Sequence, residues 1–181
     1  MIKVRLPEIA VPFRKWRRWE WIAFAIVALI ELTVVIVVAG HRWPRLYDEG
    51  VFLKALPWAF SEFMFGFNQE FVFRGPLMSG LLRFTGPWWA SISNTLLFLI
   101  GPLHGLGLWK MLDSNPTGAV WLLSGVVATG LFFSWLRYRT DNVVLCGVLH
   151  GIVNGFLNGA GFARRAYSLE KTAAKAHPAL S

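Results

Sequence analysis

Apolar residues run along this chain in long blocks rather than in alternation: Trp21 to Gly40, Pro87 to Leu108, Thr117 to Leu136 and Val143 to Ala163. Each is close to the roughly 20 residues that an α-helix needs to cross a hydrocarbon core of about 30 Å. Inside them the only ionisable side chains besides Cys146 are Glu31, His104 and His150. A fifth stretch, Val51 to Leu82, is long enough to span but is interrupted by Lys54, Pro57, Glu62, Glu70, Arg74 and Pro76. The connections "DSNP" at 113–116 and "YRTDN" at 138–142 are short and turn-like, and no long linker separates the blocks. The pattern predicts an all-α fold, a polytopic transmembrane helical bundle of about five to six membrane helices around a polar intramembrane cavity. It divides the chain into a basic N-terminal segment (1–20), a single transmembrane domain (21–163, with the motif-bearing core from about 51 to 163) and a polar basic tail (164–181).

Composition sharpens this reading. Ten Trp, fifteen Phe, 55% hydrophobic and only 15% charged residues are wrong for a water-soluble globule of 181 residues. A net charge of +8 raises the question of nucleic acid, but six of the eighteen Lys and Arg (Lys3, Arg5, Arg14, Lys15, Arg17, Arg18) precede the first apolar block. That is where the positive-inside rule places cytoplasmic anchors, so the N-terminus is expected in the cytoplasm, with no nucleic-acid partner. Five spans would then put Arg164, Arg165, Lys171 and Lys175 on the opposite side, against the same rule. The first block is too long for a signal-peptide core and lacks a clear A-x-A site, so a retained helix is expected. The single cysteine, Cys146, excludes an intrachain disulfide or a CxxC site and reads as a small packing residue.

Two small-residue patterns stand out. Gly147, Gly151, Gly155 and Gly159 recur every four residues along one helix face, the signature of close helix packing. "GPLHG" at 101–105 and "GVLHG" at 147–151 place a histidine identically in two separate blocks.

An ionisable group near a bilayer centre costs about 2.5–3.5 kcal/mol on insertion scales, so such residues face the protein interior and have partners. Glu70 and Arg74 stand four apart, the favourable order for a charge pair on one helix face. His150 and Asn154 likewise share a face, and His104 comes from a different helix. Each alone has a structural reading: a buried ion pair, or interhelical hydrogen bonds. Together, a carboxylate, a guanidinium, two imidazoles and a carboxamide are the parts of a hydrolase, able to hold and deprotonate water and to donate to an oxyanion. No HExxH and no GxSxG are present, and Asp48, Asp113 and Asp141 all lie in connections. Glu31 and Glu62 are weaker candidates; Glu62 precedes Glu70 by eight residues, roughly 80° around a helix, and is placed to line the same cavity.

From Phe67 to about Asn158 the residues resemble the CAAX protease and bacteriocin-processing (CPBP) family of intramembrane endopeptidases. The family's first motif, a Glu-Glu pair followed by Arg, corresponds to Gln69, Glu70 and Arg74 in "QEFVFRG". Its second motif ends in a histidine preceded four residues earlier by Phe. His104 fits, with Ile100 at the Phe position and Phe98 two residues before it. The third, His-x-x-x-Asn, is "HGIVN", His150 to Asn154.

The resemblance implies peptide-bond hydrolysis of a membrane-anchored protein or peptide. It implies that Glu70 pairs with Arg74, that His104 faces the hydrolytic water, and that His150 and Asn154 bind the oxyanion. The water-activating position then falls on Gln69, whose carboxamide can hold water but cannot take its proton at neutral pH. Three readings stay open: a deliberate isosteric replacement, a natural inactive member, or transfer of the base role to Glu70. A metal-free mechanism with no cofactor is expected. A Zn²⁺ site, if there were one, would use Glu70, His104 and His150.

The expected setting is a bacterial inner (cytoplasmic) membrane. Two other functions compete: a catalytically dead binding or immunity protein on the same scaffold, and a small proton-coupled transporter. The test posed to the structure is that Gln69, His104, His150 and Asn154 converge on one cavity.

Overall fold

The computed structural model describes residues 17–176; residues 1–16 and 177–181 lie outside the description, as do the side chains of residues 20, 102–104, 170–171 and 173–176. Lys3, Arg5, Arg14 and Lys15 of the N-terminal basic cluster therefore fall outside the described residues. Among those described, every regular element is helical and none is a strand. In chain order the helices are α1 (Arg18–Ala39), α2 (Arg42–Asp48), α3 (Phe52–Val72), α4 (Met78–Phe84), α5 (Pro87–Ile100), α6 (Pro102–Ser114), α7 (Pro116–Thr140) and α8 (Val143–Ala176), with a π-helical turn at Phe73–Leu77.

Three of these are long and apolar enough to cross a membrane: Trp21–Ala39, Pro116–Thr140 and Val143–Leu169. The expected span from Pro87 to Leu108 is broken, and Pro87–Ile100 with Gly105–Ser114 makes a fourth crossing only as a pair bent by 64°. Gly101 is extended (ψ 155°), and Pro102 brings no N–H to carry the hydrogen-bond ladder across. Against the five to six helices expected, length and composition thus qualify three, or four with the bent pair. The 21-residue α3 is long enough, but Lys54, Glu62, Asn68, Gln69 and Glu70 dilute its hydropathy. The fold is all-helical and polytopic, and its outward side chains suit lipid: Val37 of α1 is 73% and Leu29 64% exposed. Helix α8 runs through Ala163 to Ala176, so residues 164–176 of the expected tail are helical.

The chain divides into two compact units, one comprising Gln69–Cys146 and the other Arg17–Asn68 with residues 147–176. In the first, the central unit, α5 and α7 pack antiparallel: Trp88 and Tyr138 line one groove, and Thr95 meets Gly130 further along. A Cβ at Gly130 would lie 2.7 Å from the Thr95 methyl, so glycine is what lets the helices close. Both turns are set by asparagine. The Asn115 carboxamide accepts from Gly118 N at 3.0 Å, and Asn142 Oδ1 accepts from Val144 N at 2.9 Å, supplying the donors at the starts of α7 and α8 with partners. Asp141, at φ 55°, makes the left-handed turn that ends α7.

In the second, the terminal unit, the four-residue glycine stripe of α8 lies against α3. A Cβ at Gly147 would meet the Phe67 ring at 2.7 Å, one at Gly151 the Phe63 carbonyl at 2.7 Å, and one at Gly159 the Ala59 Cα at 2.6 Å. The descending order on α3 makes the pair antiparallel, and the stripe is the packing surface its spacing suggests. Leu46, Val51, Ala55, Ala160 and Ala163 close the core beneath α2, with Trp43 and Tyr167 packed on it.

Candidate active site

Helix α3 ends where Phe73–Leu77 widens into a π turn. Gly75 sits at φ −81°, ψ −109°, and Pro76 follows with no N–H of its own. Met78 N–H turns to the carbonyls of Phe73 and Gly75, not to that of Arg74. The Arg74 carbonyl, left without that helical donor, receives the Nε–H of Arg137 at 3.0 Å. The sequence break at Gly75-Pro76 thus creates an acceptor, and α7 supplies the donor. Single π turns of this kind recur at functional positions in helices.

Arg74 itself is fully buried, as is Glu70 one turn before it. Its Nη1 donates to Glu70 Oε1 at 3.3 Å, and its Nε lies 3.1 Å from Oε2, an ion contact rather than an aligned hydrogen bond. Nη2 donates to the Gly130 carbonyl at 3.1 Å. The guanidinium lies over the Phe98 ring at 4.9 Å from its centroid, with Phe133 at 5.9 Å. Two carboxylate contacts, a carbonyl and two ring faces compensate a charge that lipid would otherwise exclude. Arg137, also buried, pairs with Asp141 and donates from Nη2 to Ser79 Oγ at 3.3 Å.

Three more buried polar side chains of the central unit have polar atoms without hydrogen-bond partners among the described residues: both amide atoms of Asn94, and the hydroxyls of Thr95 and Ser134. Such groups cost about 1–3 kcal/mol each when left dry, and internal water is the usual remedy.

The sequence-predicted residues fall as follows. Glu70 and Arg74 form the expected pair. Gln69 is beside them in α3, nearly buried at 8% exposure. His150 and Asn154 share one face of α8 and belong to the terminal unit, where they meet α3 at Gly66. A Cβ there would lie 2.9 Å from the His150 carbonyl and 3.0 Å from Asn154 Nδ2. The glycine is what admits the Asn154 amide against the α3 backbone. His104 is in the first turn of α6, just past the break at Gly101, and its side chain lies outside the described residues.

Two details bear on the second motif. Phe98, not Ile100, is the buried aromatic under Arg74; Ile100 is 69% exposed. Position 102, four residues beyond Phe98, is a proline, and His104 follows it on a new helix. Glu62 accepts from Asn158 Nδ2 at 3.1 Å in the terminal unit. Glu31 lines a small cleft between α1 and Leu149, Ile152 and Val153 of α8.

Both Glu70 oxygens face Arg74, so that carboxylate is a poor fit for a Zn²⁺ ligand. Among the described residues no three of His, Cys, Asp and Glu gather as metal ligands.

The motif reading missed Arg137, Gly130 and the Asn94, Thr95 and Ser134 cluster. In "LRYRTDN" Arg137 and Arg139 look alike at a helix end, and only the packing distinguishes the buried one.

No curated protein matches the chain, and no solved structure does. A family model described as type II CAAX prenyl endopeptidase Rce1-like matches residues 51–156, more than half of the chain. That match covers the Glu70–Arg74 pair with its π turn, the broken pair α5–α6 and the His150–Asn154 face. The chain belongs to the Rce1-like family of type II CAAX prenyl endopeptidases.

Proposed function

We propose that this chain is an intramembrane endopeptidase scaffold for a membrane-anchored protein or peptide, with the water-activating position filled by Gln69. The observation that carries this reading is the locked Glu70: fully buried, both oxygens on Arg74, and so engaged as a structural carboxylate rather than a free base. With Glu70 held, the base role has no carboxylate at the first motif. The Gln69 amide can hold a water by hydrogen bonds but cannot accept its proton.

In the family scheme the water oxygen attacks the scissile carbonyl while a glutamate takes its proton. The carbonyl oxygen becomes an oxyanion, and the proton passes to the leaving amine as the C–N bond breaks. Here His104 is the second partner for water, and His150 with the Asn154 amide supplies the oxyanion donors. As it stands the chain binds the substrate and turns it over slowly. The setting proposed is a bacterial inner membrane with the N-terminus in the cytoplasm.

Gln69→Glu tests this, assayed in proteoliposomes for cleavage of membrane-anchored peptides, with and without His104→Ala. The expected result is cleavage by the Glu form, about 10²–10⁴-fold above the parent, as general-base catalysis contributes, and its loss with His104→Ala. A Glu form that cuts equally well without His104 would sink the residue assignment. A second reading, a binding or immunity protein, is favoured by Gln69 itself. It predicts tight substrate capture by the parent and no gain of cleavage in Gln69→Glu.

A further inference from the structure

At the end of the terminal unit where α1 gives way to α2, a polar cleft of about 390 Å³ opens between α2, α3 and α8. Two guanidiniums, Arg42 and Arg165, line it together with Asn158, Glu62, Phe65 and Phe162. It is built rather than incidental. Arg42 is anchored by an Nη1 bond to the Leu157 carbonyl at 3.0 Å, which fixes its guanidinium at the wall. Arg165 lies over the Phe162 ring at 5.7 Å, and that ring is stacked on Trp58 at 5.7 Å. The one carboxylate, Glu62, is engaged by the Asn158 amide.

The charge is not balanced inside the cleft: two arginines face one glutamate. A smaller adjoining cleft, which shares Arg42 and Gly161 with it, adds Arg45 and Arg164 against Glu49 alone. The Arg164–Glu49 approach, at 3.8 Å with Arg164 61% exposed, leaves that surplus open to solvent.

Position along the membrane supplies the ligand class. The apolar run of α1 ends at Ala39, two residues before His41, and the cleft begins at Arg42. The end of an apolar span meets the headgroup region, where paired guanidiniums are suited donors to a lipid phosphate. Phe65 and Trp58, 44% and 41% exposed, offer apolar surface beside the polar opening for the glycerol and first acyl carbons.

We propose that the Arg42–Arg165 cleft binds the phosphate of an anionic phospholipid, with both guanidiniums as donors and the neighbouring aromatic side chains against its acyl root. This site is independent of peptide hydrolysis and does not depend on Gln69.

The test uses the purified full chain in neutral-detergent micelles, titrated with phosphatidylglycerol, phosphatidylcholine or inorganic phosphate while thermal unfolding is followed. Phosphatidylglycerol is expected to raise the unfolding temperature in a saturable way that high salt weakens, while phosphatidylcholine does not. Arg165→Gln is expected to lower the apparent affinity about fivefold, as is Arg42→Gln. Lys110→Gln, which removes a positive charge from exposed α6, is expected to leave it unchanged. Should Arg42→Gln fail to fold because the Leu157 carbonyl loses its donor, Arg165→Gln alone decides, since Arg165 makes no hydrogen bond or ion pair among the described residues. An equal response to phosphatidylcholine, or an unchanged phosphatidylglycerol affinity in Arg165→Gln, overturns the proposal. A full response to inorganic phosphate at the same concentration also overturns it, assigning the cleft to a free anion.

Discussion

In the central unit helices meet over buried charge; in the terminal unit they meet over glycine. Arg74 draws α3, α5 and α7 together through Glu70, Phe98 and Gly130, and Arg137 ties α7 to the π turn. Around α8, by contrast, Gly147, Gly151, Gly155 and Gly159 bring backbone within contact of Phe67, Phe63 and Ala59, with no charge involved. Glycine packing relies on dispersion and tolerates no added volume. Ionic packing tolerates volume but fails when one partner is removed, because the other charge is stranded. The Glu70–Arg74 motif sits in the ionic unit, where a single side chain fixes several backbone segments at once, and the His150–Asn154 motif sits in the glycine-packed one.

The sharpest way to break the comparison is Glu70→Ala. It strands a fully buried guanidinium and is expected to cost about 3–5 kcal/mol, read from reversible unfolding in detergent. A loss below about 1 kcal/mol would mean that Gly130 and the two rings suffice for Arg74. Arg137→Met comes next: it keeps much of the side-chain bulk and removes the donor to the Arg74 carbonyl. The expected cost is about 1.5–3 kcal/mol, with faster amide exchange confined to the π turn. Uniform exchange across α7 instead would remove the bracing role.

The smallest effect belongs to the terminal unit and has its own control. Gly151→Ala is expected to destabilise by about 1–3 kcal/mol, because its methyl would lie 2.7 Å from the Phe63 carbonyl. Gly161→Ala, with nothing within 4 Å of the added Cβ, is expected to be neutral or stabilising by up to about 1 kcal/mol. Equal effects at both sites would deny the stripe its packing role.

Much of the fold was legible because lipid punishes polarity. The apolar runs at 117–136 and 143–163 fall within helices, as does that at 21–40 up to Ala39, and the glycine spacing located the α3–α8 surface through period alone. The Glu70–Arg74 pair was readable from spacing and charge. Illegible features depended on where a freed backbone group finds its partner. "GP" occurs at 75–76, 86–87 and 101–102, and in the structure it yields a π turn, a helix start and a 64° bend respectively. The dipeptide reports that the ladder is interrupted, while neighbouring side chains decide what replaces it. Phe98 shows the same limit: motif spacing pointed to position 100, and only the fit against a guanidinium selects position 98.

The bend at Gly101 has a topological consequence. Helix α7, with 25 residues and about 37 Å of rise, is long and apolar enough to cross a hydrocarbon core of about 30 Å. Its end at Tyr138 and Arg139 lies in the same groove as Pro87 and Trp88, the start of α5. Its beginning at Pro116 follows α6 after the single residue Asn115, so α6 ends at the opposite end of α7. The start of α5 and the end of α6 thus flank opposite ends of α7, which is where one crossing made in two strokes would place them. The 14 residues of α5 rise about 21 Å, short of a full hydrocarbon thickness. His104 thereby sits in the first turn of a helix that begins inside an apolar run, where an N-terminus offers free N–H groups usually found at an aqueous boundary.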